Sequence, residues 1–231
     1  MLFRLFACIG LLTIAATAMA QETKKFTAPD YKTIQKVIKD KTSSAYYPKL
    51  LARYEKNDTT LTEQQIHTLY YGSHFYTIPG ASKFNDLHYM DSIKAINSKE
   101  QASDQDRKDL IRYYMTEHKG NPFDLRALNS LFRLYGAIHD PKSDLYLYKL
   151  RKIALVIMAS GDGLSVNSGF HVSSVADEYA MLGILGFEET GNQKLVDNRC
   201  DYLEVKENEY KVEGLYFNVE QMLIAFNKSL K

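Results

Sequence analysis

The chain has 231 residues, 45% hydrophobic and 25% charged, with 29 Lys and Arg against 28 Asp and Glu. A charge-balanced chain with no basic run gives no electrostatic footing for nucleic acid or an anionic lipid surface. Its two cysteines, Cys8 and Cys200, leave stability to packing once Cys8 is placed in a removable leader.

That leader is the first feature of the chain. Arg4 is its only charge, an apolar run follows from Leu5 to Ile14, and Ala18-Met19-Ala20 precedes Gln21. A basic start, a short apolar stretch and a small-residue exit predict a secretory signal peptide over residues 1–20 and a mature single domain over 21–231. Leu5-Phe6-Ala7-Cys8 loosely resembles a lipobox, but too few apolar residues precede Cys8 to form its hydrophobic region. The leader is shorter than the roughly 20 apolar residues of a membrane span, and no later segment qualifies.

Helical spacing begins at Asp30, with Tyr31, Ile34, Val37 and Ile38 on one stripe. A second helix is predicted over 46–56, Tyr47, Leu50, Leu51 and Tyr54 facing in and Pro48 confined to its first turn. Thr62 with Gln65 forms a capping box that opens a third helix to about His74. Residues 76–85, with Pro79-Gly80, read as a loop. Ser103 caps a helix to about His118 with an acidic first turn. Asn121 as cap and Pro122 at the first helical position predict the next helix, ending at Gly136, and Asp140-Pro141 repeats that device. The helix after Pro141 is apolar on most sides and is expected at the centre of the core.

Gly161-Asp162-Gly163 stops it, and a further helix is predicted over 170–185. Residues 202–205 and 210–212 read as a β-hairpin. Asn218 with Gln221 caps a last helix with Val219, Met222, Leu223, Phe226 and Leu230 on its inner stripe. The Asn121–Tyr135 helix and its successor are similar to one tetratricopeptide unit, although the flanking pairs do not repeat at about 34 residues. The expected fold is therefore mainly α: a helical-repeat-like layer over 30–160, then a helix, a small hairpin and a final helix over 161–231.

No motif assembles a catalytic site. His67 and His74 share a helix face but lie about 10.5 Å apart along the axis, too far for one metal. His88 and Asp91 form only a single i,i+3 pair. The polar stretch from Ser160 through Asp162 and Ser165 to His171, Ser173, Asp177 and Glu178 offers a serine, an imidazole and carboxylates. It lacks a G-x-S-x-G elbow, and the preferred reading is a helix stop, a polar loop and a new helix N-terminus. Cys200 stands beside Asp201, whose charge raises a thiol pKa, so a buried structural cysteine at a strand start is the expectation. Seventeen tyrosines without a tryptophan, with doublets at Tyr46-Tyr47, Tyr70-Tyr71 and Tyr113-Tyr114, suggest a groove for peptide or glycan. The plainer alternative packs those rings at helix ends with their hydroxyls in water.

Tyr46-Tyr47-Pro48-Lys49-Leu50, Leu69-Tyr70-Tyr71-Gly72, Asn121-Pro122-Phe123-Asp124-Leu125-Arg126-Ala127-Leu128 and Ser160-Gly161-Asp162-Gly163 carry a resemblance. With Asp201-Tyr202-Leu203-Glu204-Val205 and Gly214-Leu215-Tyr216-Phe217-Asn218, they resemble the exported Bacteroidetes family called domain of unknown function 4919. The resemblance runs over nearly the whole mature chain. It implies a Gram-negative envelope setting, periplasmic or surface, and a helical-repeat-like body; it carries no catalytic or binding residue.

The leading functional expectation is a non-enzymatic envelope protein that binds a protein, peptide or glycan. Its candidate residues are Tyr70, Tyr71, Tyr113, Tyr114, Asp162 and His171, with no metal or cofactor implied. Two alternatives stand beside it. One is a hydrolase combining Asp162, His171 and Glu178 or Cys200; the other is a structural subunit pairing through an exposed edge at 201–206 or 210–217.

Overall fold

The computed structural model describes residues 26–78, 93, 95, 96 and 102–229. Among these, α1 (Tyr31–Val37), α2 (Tyr47–Glu55) and α3 (Glu63–Gly72) build the first half, and a single 3₁₀ turn (Ser73–Phe75) ends it. The caps are those the sequence encodes. Asp30 accepts from the Thr33 amide, and Thr62 and Gln65 satisfy each other's backbone amides at the start of α3. Part of the predicted 76–85 loop, together with His88, Asp91 and Leu230, lies outside the described residues.

Three longer helices follow: α4 (Asp104–Gly120), α5 (Leu125–Ala137) and α6 (Lys142–Met158). Each packs on the next, and α6 also packs on α3. Asn121 and Pro122 do not start α5 as predicted. Asn121 ends α4 and turns the chain by accepting from the Phe123 amide, while Asp124 caps α5 by accepting from Ala127 at 3.0 Å. The carboxylate wins because it sits beside the unpaired amides of the first turn and meets the positive end of the helix dipole. Pro141 stands at the N-cap of α6, as its missing donor permits.

The C-terminal part corrects the predicted hairpin. It is a four-stranded mixed sheet in the order β1-β4-β3-β2, from β1 (Phe170–His171), β2 (Glu189–Val196), β3 (Cys200–Val205) and β4 (Gly214–Asn218). Residues 210–212 lie in the β3–β4 connection, 201–205 is an interior strand between β2 and β4, and 214–217 pairs with β3 on one side and, from Phe217, with β1 on the other. Phe170 and His171 are strand, pairing in parallel with Phe217 and Asn218, so the predicted 170–185 helix shortens to α7 (Val175–Leu185), capped by Ser174. The last helix, α8 (Glu220–Ser229), leaves Phe226 61% exposed, against the expected inward stripe.

The glycines of the Ser160–Gly163 loop serve this join. A β-carbon on Gly161 would stand 2.2 Å from the Ser168 carbonyl oxygen, and Gly163, at φ +72°, has the Phe170 ring 2.5 Å from the same position. The loop runs so close to β4 that the Tyr216 amide donates to the Gly163 carbonyl at 2.8 Å.

One apolar core runs through helices and sheet, from Ile34 and Leu50 through Leu69, Leu128 and Ile153 to Leu203 and Phe217. Tyrosine is a core residue in it. Tyr47 donates to the Leu69 carbonyl, Tyr54 to that of Pro122, and Tyr71 to that of His171. A buried phenol keeps its ring packed only if its hydroxyl finds such an acceptor.

Candidate functional site

The six sequence-predicted residues do not form one site. Tyr70 and Tyr71 are both 0% exposed in the main core. Tyr113 packs with Ile93 and Leu110 in a separate small cluster, and Tyr114 lies half-buried between the two. The tyrosine groove is therefore corrected: area burial drew Tyr70 and Tyr71 inward, with hydrogen bonds to Asp177 and to the His171 carbonyl replacing water, and Tyr113 packs in a different cluster. Asp162 caps its own turn, accepting from the Leu164 amide at 2.9 Å. His171 meets the Tyr31 hydroxyl at 3.5 Å through Nδ1, and among the described residues its ring bonds to no carboxylate. Burial, then the Arg199 charge, pushes its pKa down to about 4, so the imidazole is neutral near pH 7. Cys200 is buried at the start of β3 with its Sγ on the Val166 carbonyl, and burial raises its thiol pKa.

What the tyrosines build is a buried polar network between helices. The Tyr70 hydroxyl donates to Asp177 Oδ2 at 2.9 Å and accepts from the Ser173 amide at 2.9 Å. Asp177 Oδ1 accepts from the Leu125 amide at 3.2 Å, so one carboxyl from α7 caps α5 from outside. Burial pushes its pKa up to about 7, partly offset by the Leu125 amide. Its neighbour Glu178 is 0% exposed, and neither carboxyl oxygen has a hydrogen-bond partner among the described residues. Burial, followed by the charges of Asp201 and Asp177, pushes Glu178 up to about 9, so it is protonated at neutral pH. Perturbed carboxyls cluster at functional sites, but among the described residues no group of three or more metal-ligating side chains accompanies this pair.

Concavity lies elsewhere. A cleft of about 490 Å³ opens between α3 and α6, with Phe26 and Thr27 along one side. Its floor is Ile66 and Val156, its mouth includes Leu155 at 54% exposure, and Met158 and Ala159 extend the apolar wall. Glu63, Gln64, His67 and Lys152 supply the polar groups. Thr27 donates its amide to the Ala159 carbonyl at 3.0 Å, which fixes the N-terminal strand of chain as the cleft's side. Burial lowers the His67 pKa, so this wall carries a neutral imidazole at pH 7, edge-on to the Tyr71 ring. That size and lining, mostly apolar with a few polar groups, are those of a small-ligand or side-chain pocket. No pattern in the sequence marks it, because Ile66 and Val156 read only as core.

Fold and site together define a mainly helical domain, closed by a small mixed sheet, with an apolar cleft and no assembled catalytic constellation among the described residues. Over residues 32–228 the chain matches the family model described as domain of unknown function (DUF4919), and it belongs to that family. No curated protein and no solved structure matches it. Among the described residues no helix is long and apolar enough to cross a membrane.

Proposed function

We propose that this is a non-enzymatic binding protein of the cell envelope that takes an apolar segment of a peptide or protein partner into the α3–α6 cleft. The observation that carries the reading is the cleft itself, where Leu155 stays half-exposed over an apolar floor on the outer face of α6, a helix buried on one side only. An apolar side chain at the mouth of a concave apolar surface is spare contact area for a partner. Glu63 and Lys152, opposite in charge, give a bound segment polar anchors. The pairing of α5 with α6 supports a tetratricopeptide-like arrangement, in which such layers present concave faces. A glycan fits less well, because the tyrosine rings that would stack on sugars are buried. Export by the leader and an envelope location belong to the same proposal.

The test is a titration with an uncharged environment-sensitive apolar dye, Nile red, followed by displacement with short apolar peptides. Leu155→Arg places a charge at an already exposed helical position, so the fold tolerates it. Dye and peptide affinity are expected to fall about tenfold or more, a loss of about 1.4 kcal/mol. Equal binding by wild type and variant would remove the cleft from consideration.

A further inference from the structure

Among the described residues, the edge of the sheet at β2 pairs with no further strand and is a second surface, independent of the cleft. β2 ends the order β1-β4-β3-β2, and seven of its eight residues are exposed. The register slips between Glu189 and Gln193, with Gly191 at φ +88°, so Gln193–Val196 is the regular stretch of that edge. Pairing of Gln193 with Leu203 and of Leu195 with Asp201 places these four side chains on one sheet face. Lys194, the residue that would guard the edge, instead lies on the other face, 4.9 Å over the Tyr202 ring.

α7 borders the first of those faces. Tyr179 donates its hydroxyl to Gln193 Oε1 at 2.9 Å, and Gln193 Nε2 donates to Asp201 Oδ2 at 2.8 Å. Val175 and Tyr179, one turn apart on α7, are 46% and 41% exposed, and Leu195 on β2 is 49% exposed. The edge strand and the helix thus flank a partly apolar shelf with the half-buried Asp201 at its base. The nearby cations are engaged elsewhere: Lys206 pairs with Glu188 at 2.9 Å and Arg199 donates to Asn167 at 2.8 Å. Among the described residues no lysine or arginine pairs with Asp201 or Glu178.

We propose that β2 receives an extended segment of a partner polypeptide as an added strand, and that a lysine or arginine on that segment sets its cation against Asp201. Strand addition supplies affinity through the backbone groups of Gln193–Leu195 that face away from β3, and alternate side chains fall on the α7 shelf. Charge complementarity selects the basic residue: the half-buried Asp201 carboxylate, with no cation paired to it among the described residues, accepts one, whereas an acidic side chain there is repelled.

The experiment is selection of a random peptide display library on the purified protein, followed by anisotropy measurements on the winners. The expected result is an enriched set of extended sequences with Arg or Lys at one fixed position. Asp201→Asn should weaken a winner about tenfold or more, and should leave its norleucine counterpart within about twofold of wild type. Binding should protect the Gln193–Val196 amides from hydrogen exchange, and Leu155→Arg should not change it. Winners without a basic residue, or indifferent to Asp201→Asn, overturn the charge selection. No enriched peptide, or protection confined to residues outside β2, overturns strand addition. Neither result touches the cleft, which is tested by the dye.

Discussion

Replacing Glu178 with glutamine should stabilise the protein at neutral pH. Its folded-state pKa is raised from 4.5 to about 9, so between those values the native chain holds a proton that the unfolded chain releases. A raised carboxyl pKa costs nothing below pH 4.5 and costs progressively more as pH climbs to about 9. At pH 7 the gap from the unfolded pKa is about 2.5 units, and at 1.36 kcal/mol per unit the penalty is about 3 kcal/mol. Glutamine keeps the shape, and like the protonated acid it has one donor group and one carbonyl without partners, so it removes the penalty and little else. For a domain of this size about 3 kcal/mol corresponds to a midpoint rise of roughly 6–12 °C. Urea unfolding followed by far-UV circular dichroism at pH 4, 7 and 8.5 measures it. The gain should be absent at pH 4, about 3 kcal/mol at pH 7 and larger at pH 8.5. A gain independent of pH would mean altered packing, and no gain at pH 7 would refute the buried neutral acid.

Tyr70→Phe removes the hydroxyl that bonds Asp177 and the Ser173 amide, and should cost about 1–3 kcal/mol in the same assay. The Asp177 pKa should rise further in that variant, because this hydrogen bond favours its ionised form; carboxyl-labelled NMR titration reads the shift. Two glycines should respond oppositely to alanine. Gly163→Ala meets the Phe170 ring at positive φ and destabilises, whereas Gly183→Ala, in α7 with no atom within 4 Å, stabilises by about 0.5–1 kcal/mol. Cys200 should resist a thiol reagent in the native state and react within the dead time once urea unfolds the chain, since it is buried with a raised pKa.

The helix starts were legible because caps are local: Thr62 with Gln65 and Ser103 with its acidic first turn state their own geometry. Asp124 was missed because Asn121-Pro122 offers the same local signal three residues earlier, and the Asp177 carboxyl that caps the same helix start lies 52 positions from Leu125. The sheet was half legible. β3 and β4 carry the apolar residues that bury, but β2 is exposed on both faces and shows no alternation to detect. β1 has two residues, and only its distant partner Phe217 makes it a strand. Tyr70 and Tyr71 misled for a physical reason: composition shows that a ring is amphipathic, not whether an acceptor awaits its hydroxyl inside. Asp177 and the carbonyls of His171 and Val156 are those acceptors, and they lie 85 or more positions along the chain. The cleft is likewise a gap between α3 and α6, and a gap has no residues of its own.

The most direct measurement of the central claim is methyl NMR of the Ile-, Leu- and Val-labelled protein titrated with an apolar peptide that displaces the dye. The account predicts saturable shifts at Ile66, Leu155 and Val156, the isoleucine, leucine and valine residues that line the α3–α6 cleft. Shifts elsewhere with these three unmoved would contradict it.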